Sequence, residues 1–306
     1  MSQPLLERRF LEQLERLTLH WQKSFNGLVG GHNTSRFAGA GQEFLDHRSF
    51  YPGDDLRAVN WRAFMRFEKL FVKMFQVEPR VPVRLLIDVS GSMLAGNAEG
   101  ESTKFDFARR LAAALVYVGL VRLDSILLQP FAAGLLEPFV SSGGRHRFQP
   151  AENYLRALKA GGKTNYAGCA RQYLTEYPQR GLTVILSDFL DDADCFRPLQ
   201  YIADFGHELL LVQLWGAEDR TPSGEGKMEL VDAESGAEVR MSLDREARRI
   251  YTQSFDEHSE QLKKLAMRNG GRYTGLPTVT PLKEALFGSH VFQGRRLHGN
   301  ASAPAR

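Results

Sequence analysis

A short apolar run ending in an acid and two hydroxyls, Val83-Arg-Leu-Leu-Ile87-Asp88-Val-Ser90-Gly-Ser92, constrains the fold more than any other stretch of the chain. A run of that length, bounded by turn chemistry, reads as a strand buried in a parallel sheet. Its C-terminal end is the edge at which open α/β sheets bind their ligands. The same design returns at Gly181-Leu-Thr-Val-Ile-Leu-Ser-Asp188, again an apolar run delivering an acid. Around these two, the spacing predicts helices over Thr103 to Val121, Phe148 to Ala160, from after the Gly161-Gly-Lys-Thr164-Asn loop to about Tyr177, Asp194 to Phe205, Asp244 to Arg268 and Pro281 to Phe287. Strands are predicted at Ser125 to Phe131, Glu208 to Trp215 and Arg272 to Thr274, with Gly134 to Val140 as an antiparallel neighbour. Such alternation predicts an α/β fold with a doubly wound, mostly parallel, Rossmann-like sheet and an antiparallel edge strand. Met228 to Val231 and Glu238 to Met241 flank Asp232-Ala-Glu-Ser-Gly236 and read as a hairpin.

The first part of the chain has a different character. Residues 4–24 carry Leu6, Phe10, Leu14, Leu17 and Trp21 at helical spacing. From Phe25 to Pro82, glycines and the Pro52-Gly53-Asp54-Asp55 turn punctuate alternating aromatics and arginines, with a strand-like run only at Lys69 to Val77. The expected organisation is therefore a helix plus an irregular, Gly/Arg/aromatic-rich extension over residues 1–80, packed on a main domain at 81–290. A disordered tail is expected at 291–306.

Composition excludes several classes. With 43% hydrophobic and 25% charged residues the chain is an ordinary globular protein, and a net charge of +3 implies no strong polyanion partner. Residues 30–80 hold eight Lys or Arg against six acids, too balanced for a nucleic-acid footprint. No apolar run is long enough to span a bilayer, and the N-terminus has no signal-peptide core, so a cytoplasmic protein is expected. Cys169 and Cys195 sit in no metal or redox spacing and read as small buried apolar groups.

Asp88, Ser90 and Ser92 are hard oxygen donors at a spacing of two, suited to Mg²⁺ or Mn²⁺. Thr164, in the loop Gly161-Gly-Lys163-Thr164, and Asp188 emerge later at the same sheet edge and complete a candidate metal site. Direct hydroxyl ligation leaves such a cation short of negative charge, which favours an incoming carboxylate from a partner protein. The glycine-lysine-threonine loop mimics the end of a P-loop, but Ala157 stands where that motif needs glycine. A strand-terminal Asp88 with Asp188, Asp191 and Asp192 also suggests a Mg²⁺-dependent phosphohydrolase of the haloacid dehalogenase type. There the acid two residues after the nucleophile donates a proton, and here that residue is Ser90.

The constellation resembles the metal-ion-dependent adhesion site (MIDAS) of von Willebrand factor A-type domains. The resemblance continues through Gly39-Ala-Gly-Gln-Glu43, Arg48-Ser-Phe-Tyr51-Pro-Gly-Asp-Asp55-Leu-Arg57, Asn60-Trp61, Leu70-Phe-Val-Lys73, Ser187-Asp188-Phe-Leu and Asp232-Ala-Glu-Ser-Gly. Those segments are similar to the signature of a bacterial family titled domain of unknown function 58. The resemblance implies a von Willebrand A-like fold and a non-catalytic adaptor beside a MoxR-type AAA+ ATPase, acting in assembly or maturation of other proteins. It also implies a possible link to membrane-anchored von Willebrand A proteins, although the two membrane helices of longer relatives are absent. Two further departures stand out. Lys163 occupies a place where similar loops have glycine, and Asn60 one where the family often has Asp.

Overall fold

The computed structural model describes residues 4–15, 38–52, 56, 59–76, 82–94, 102–121, 124–190, 194–224, 226–234 and 236–288. Residues 16–24 of the expected first helix, the Gly53-Asp54-Asp55 turn, Asp191, Asp192 and the tail lie outside these. The chain divides into two compact units, residues 1–29 with 81–306, and residues 30–80. In chain order, α1 (residues 8–15), β1 (Ala38–Ser49), α2 (Trp61–Phe67), β2 (Phe71–Gln76) and β3 (Pro82–Asp88) come first. Then follow α3 (Lys104–Val121), β4 (Ser125–Phe131), β5 (Phe139–Ser142), α4 (Phe148–Ala157), α5 (Tyr166–Glu176), β6 (Leu182–Ser187) and α6 (Phe196–Asp204). The chain continues with β7 (Glu208–Trp215), α7 (Ala217–Arg220), β8 (Gly226–Val231), β9 (Glu238–Leu243), α8 (Arg245–Arg268), β10 (Arg272–Pro277) and α9 (Leu282–Gly288).

The larger unit is built on a six-stranded sheet in the order β10-β7-β6-β3-β4-β5. All its pairings are parallel except β4 with β5. Side chains of a strand alternate between faces, so a doubly covered sheet needs apolar residues at consecutive positions. Leu85 and Ile87 of β3, Val184 and Leu186 of β6, and Leu210 and Val212 of β7 face a core shared with α1, α3, α4 and α9. Leu86, Ile185, Leu209 and Leu211 face the opposite core, with α5, α6 and α8. The helix at 8–15 belongs to this unit: Leu6 and Leu14 are buried in its core, and the Leu5 N–H donates to Glu152 Oε1 at 2.7 Å. Cys169 and Cys195 are both buried, as their apolar reading expects. Thr103 caps α3 by accepting from the Asp106 N–H at 3.0 Å, and Asn165 caps α5 through the Gly168 N–H at 2.9 Å.

The antiparallel edge strand lies further along the chain than the sequence predicts. The Ala132 N–H bonds to Gly134 O and Phe131 bridges Leu135, so a tight turn consumes the start of the expected strand. Pairing resumes at Phe139–Ser142, where Ser141 lies opposite Ile126 and Ser142 opposite Ser125. Among the described residues no helix is long and apolar enough to cross a membrane.

The unit of residues 30–80 is more regular than its glycine punctuation suggests. β1 and β2 pair antiparallel, with Phe44 opposite Phe75 and His47 opposite Lys73, and with register shifts between Ala38 and Glu43 and between Phe44 and Asp46. Asn60 caps α2 by accepting from the Ala63 N–H at 3.3 Å, and its Nδ2 lies 2.6 Å from His47 Nε2.

Candidate functional site

Strand β3 delivers Asp88 to the C-terminal edge of the sheet, and the chain turns immediately. The Ser90 N–H donates back to Asp88 Oδ1 at 2.9 Å, while Ser90 Oγ and Ser92 Oγ hydrogen-bond at 2.9 Å. Asp88 Oδ2 accepts from Ser187 Oγ at 2.6 Å and from the Tyr166 hydroxyl at 3.4 Å. Asp88 and Ser90 have no exposed surface. Among the described residues Asp88 has N–H and hydroxyl donors but no cationic partner. Burial, and then repulsion from Asp188, push its carboxyl up to about 7. Burial, and then Asp88, hold the Tyr166 phenol well above its ordinary range.

The loop carrying Thr164 is stitched to the Asp88 loop by backbone. Gly161 N–H donates to Val89 O at 2.8 Å, and Gly91 N–H donates to Gly162 O at 2.8 Å. Gly161 and Gly162 have φ of +157° and +84°; the second lies squarely in the region that only glycine enters without strain. α4 ends at Ala157, so this loop follows a helix and not the strand of a nucleotide-binding P-loop. Lys163 is exposed.

Thr164 already holds a carboxylate. Its N–H donates to Glu234 Oε2 at 3.0 Å and its hydroxyl to Glu234 Oε1 at 2.9 Å. Glu234 comes from the turn between β8 and β9, shaped by the Glu234 N–H donating to Asp232 Oδ1 at 2.9 Å. Gly91 admits this turn closely: a Cβ there would lie 2.7 Å from Ala233 O and 3.3 Å from Gly162 O.

Asp188 sits at the end of β6 but is turned toward Lys104. Lys104 Nζ lies 2.8 Å from Asp188 Oδ2 and 3.0 Å from Asp219 Oδ2, with the Lys104 side chain 2% exposed. The other oxygen, Asp188 Oδ1, accepts the Leu190 N–H at 3.2 Å across Phe189, whose φ is +55°. Burial alone would push the Lys104 ammonium down, but Asp188 and Asp219 outweigh it and hold it above its ordinary value. The structure thus joins Asp88, Ser90 and Ser92 to the Thr164 loop directly. It ties Asp188 to the same edge through neighbouring Ser187, with its own carboxylate committed to Lys104.

Sequence reasoning missed Lys104, Glu234, Ser187, Tyr166 and Asp219. Lys104 left a signal, because it shares the helical stripe of Ala108, Leu111 and Leu115, all buried. A cation at a helix N-terminus also opposes the macrodipole.

A hard divalent cation suits this donor set. The Ser90 and Ser92 hydroxyls follow Asp88 on one loop, and the Thr164 loop is bonded to that loop through backbone. Among the described residues the Asp88 carboxylate has no cationic partner, Lys104 being engaged by Asp188 and Asp219. Among the described residues no three His, Cys, Asp or Glu side chains converge, so a cation here would rest mainly on hydroxyl oxygens.

A sheet in this strand order, with a short antiparallel edge strand and an Asp-x-Ser-x-Ser loop at its C-terminal edge, defines a von Willebrand A-like domain. Comparison with known proteins narrows that class. The chain belongs to the family described as "Protein of unknown function DUF58", which matches residues 46–261. It is 27% identical over 248 residues to the uncharacterized protein Rv1480 of Mycobacterium tuberculosis, covering 80% of this chain and 77% of that one. Among solved structures it is similar to the conserved hypothetical protein BatB of Bacteroides thetaiotaomicron, at 17% identity and a TM-score of 0.43, over 67% of this chain and 95% of that one. It is also similar to the SpRpn10 VWA domain, at 12% identity and a TM-score of 0.41, over 70% of this chain and 98% of that one.

Proposed function

We propose that this protein is a metal-dependent, non-catalytic adaptor that binds a carboxylate of a client protein and works beside a MoxR-type AAA+ ATPase. Ser90, Ser92 and Thr164 would hold Mg²⁺ or Mn²⁺ through hydroxyl oxygens, Asp88 would supply the balancing charge, and Asp188 would support it from the adjoining strand end. The cation, when bound, supplies an electrophilic point for an acidic side chain. The observation that carries this reading is the stitched pair of loops beside a buried Asp88 that, among the described residues, has N–H and hydroxyl donors but no cationic partner. The ATPase and its assembly role rest on the family resemblance.

The test uses the full chain. Calorimetric titration with Mn²⁺ or Mg²⁺ is expected to give one site, and Asp88→Ala is expected to lose it while keeping the wild-type circular dichroism spectrum. Affinity capture is expected to retain a MoxR-type ATPase with Mg²⁺ and release it in EDTA. Unchanged cation affinity in Asp88→Ala would overturn the site, and capture indifferent to EDTA would overturn the metal's part in the adaptor.

A further inference from the structure

We propose that Glu234 is an internal ligand of this site, holding the carboxylate position until a partner's acidic side chain displaces the β8–β9 turn. The inference rests on the metal-site reading above and deepens it. Its basis is a two-point grip: both Glu234 oxygens are taken by Thr164, one by the backbone N–H and one by the hydroxyl. A forked carboxylate at a candidate metal ligand is the chemistry an acidic partner would bring. The contact joins residues 70 positions apart, so it is a tertiary choice and not a by-product of local geometry.

The element that carries Glu234 is suited to release. β8 and β9 form a two-stranded sheet paired, among the described residues, only with each other. Isolated ribbons of that kind are marginally stable in water. Val231 and Val239 flank the turn at 64% and 58% exposure, so little apolar burial holds the tip down. Gly224 and Gly226, at φ of +92° and +91°, stand at the base of the ribbon, where backbone freedom lets it swing. On the paired strand the same base is anchored, because Leu243, opposite Gly226, is buried and Asp244 caps α8 through the Ala247 N–H at 2.7 Å, which makes this base the pivot and leaves the tip to move. At the tip, Gly91 leaves the space that Ala233 occupies.

The occupant also describes the partner. It presents a carboxylate from a protruding turn, narrow enough to pass Gly91 and able to meet an N–H and a hydroxyl together. Competition then sets the apparent affinity. If the tip is out for about 1–10% of the time, removing Glu234 tightens binding of a free carboxylate about 10- to 100-fold.

The test compares the full-length wild type with Glu234→Ala, and with Glu238→Gln as a charge control on an exposed strand. Hydrogen exchange in EDTA is followed at the peptide containing Thr164. Faster exchange at Thr164 in Glu234→Ala, with the control unchanged, is expected; equal exchange overturns the internal ligand. The Mn²⁺-loaded chains are then titrated with N-acetyl-glutamate amide, and tighter binding by Glu234→Ala in the stated range is expected. Mn²⁺ binding with equal carboxylate affinity overturns this inference alone. Failure of every chain to bind Mn²⁺ overturns the metal reading and this inference with it.

Discussion

Replacing Lys104 with methionine removes the buried ammonium and leaves a side chain of similar length and shape. Lys104 lies 2.8 Å from Asp188 and 3.0 Å from Asp219, and the Asp188 side chain is 2% exposed. Breaking a buried pair from one side strands the other charge and costs about 3–5 kcal/mol. In a domain of this size each kcal/mol moves the melting temperature by about 2–4 °C, so Lys104→Met is expected to melt roughly 6–20 °C lower. Urea unfolding followed by tryptophan fluorescence and circular dichroism gives the free energy directly. The double variant Lys104→Met/Asp188→Asn no longer buries that uncompensated charge and is expected to regain at least half of the loss, a coupling of at least about 1.5–2.5 kcal/mol. Asp219 is 15% exposed and its charge is partly met by water, so it should not cancel the recovery. A Lys104→Met loss below about 1 kcal/mol, or single variants that simply add, would refute the claim that this pair holds the site's edge together.

Two further predictions concern the rest of the fold. Leu14 has no exposed surface, so Leu14→Ala should cost about 2–5 kcal/mol in urea unfolding; a cost near zero would detach the helix at 8–15 from the main core. His207 is buried beside Arg84, and burial and then that cation push its imidazole from 6.5 down to about 4. Its neutral form fits the native state above pH 6.5, and stability falls as the pH drops from there toward 4, because the unfolded chain takes up the proton first. Up to about 3 kcal/mol of acid sensitivity is therefore expected to disappear in His207→Gln, read as urea midpoints at pH 7.5 and 4.5.

The sheet was legible because its strands are buried on both faces. Ser125–Phe131 and Glu208–Trp215 can be read to the residue, since each carries consecutive apolar residues, Ile126 to Leu128 and Leu209 to Val212, interrupted by a single glutamine, and a run that short suits a strand covered on both faces. β1 was not legible: Gly39 and Gly41 lack side chains to show a period of two, and its pairing contains register shifts. Ser90 and Ser92 could be read because they follow a strand end, whereas Thr164 follows α4 and was marked by its Gly-Gly loop. The charges that control the site could not. Lys104 reads as a solvated helix opener until its helical face is plotted, and Asp219 and Glu234 reach the edge from elements whose placement depends on the finished sheet.

That division of labour bears on what a metal would do here. In a structural zinc site, ligand binding is folding energy, and the apo chain collapses. Here the neighbouring acids Asp188 and Asp219 already have Lys104, a cation supplied by the chain itself. The Asp88 loop is closed by hydrogen bonds from Ser90, Ser187 and Tyr166, and Thr164 by Glu234. Metal-free, the edge therefore keeps its geometry, and the remaining deficit is concentrated on Asp88. A cation would be recruited by that deficit without being required for the fold, so binding and release can follow the partner and leave the domain intact. Removal of Mg²⁺ should accordingly abolish capture while moving the unfolding midpoint by only the mass-action term set by its concentration and affinity. Unfolding of the chain in EDTA alone would show that the metal holds the fold and would remove the basis for a reversible adaptor.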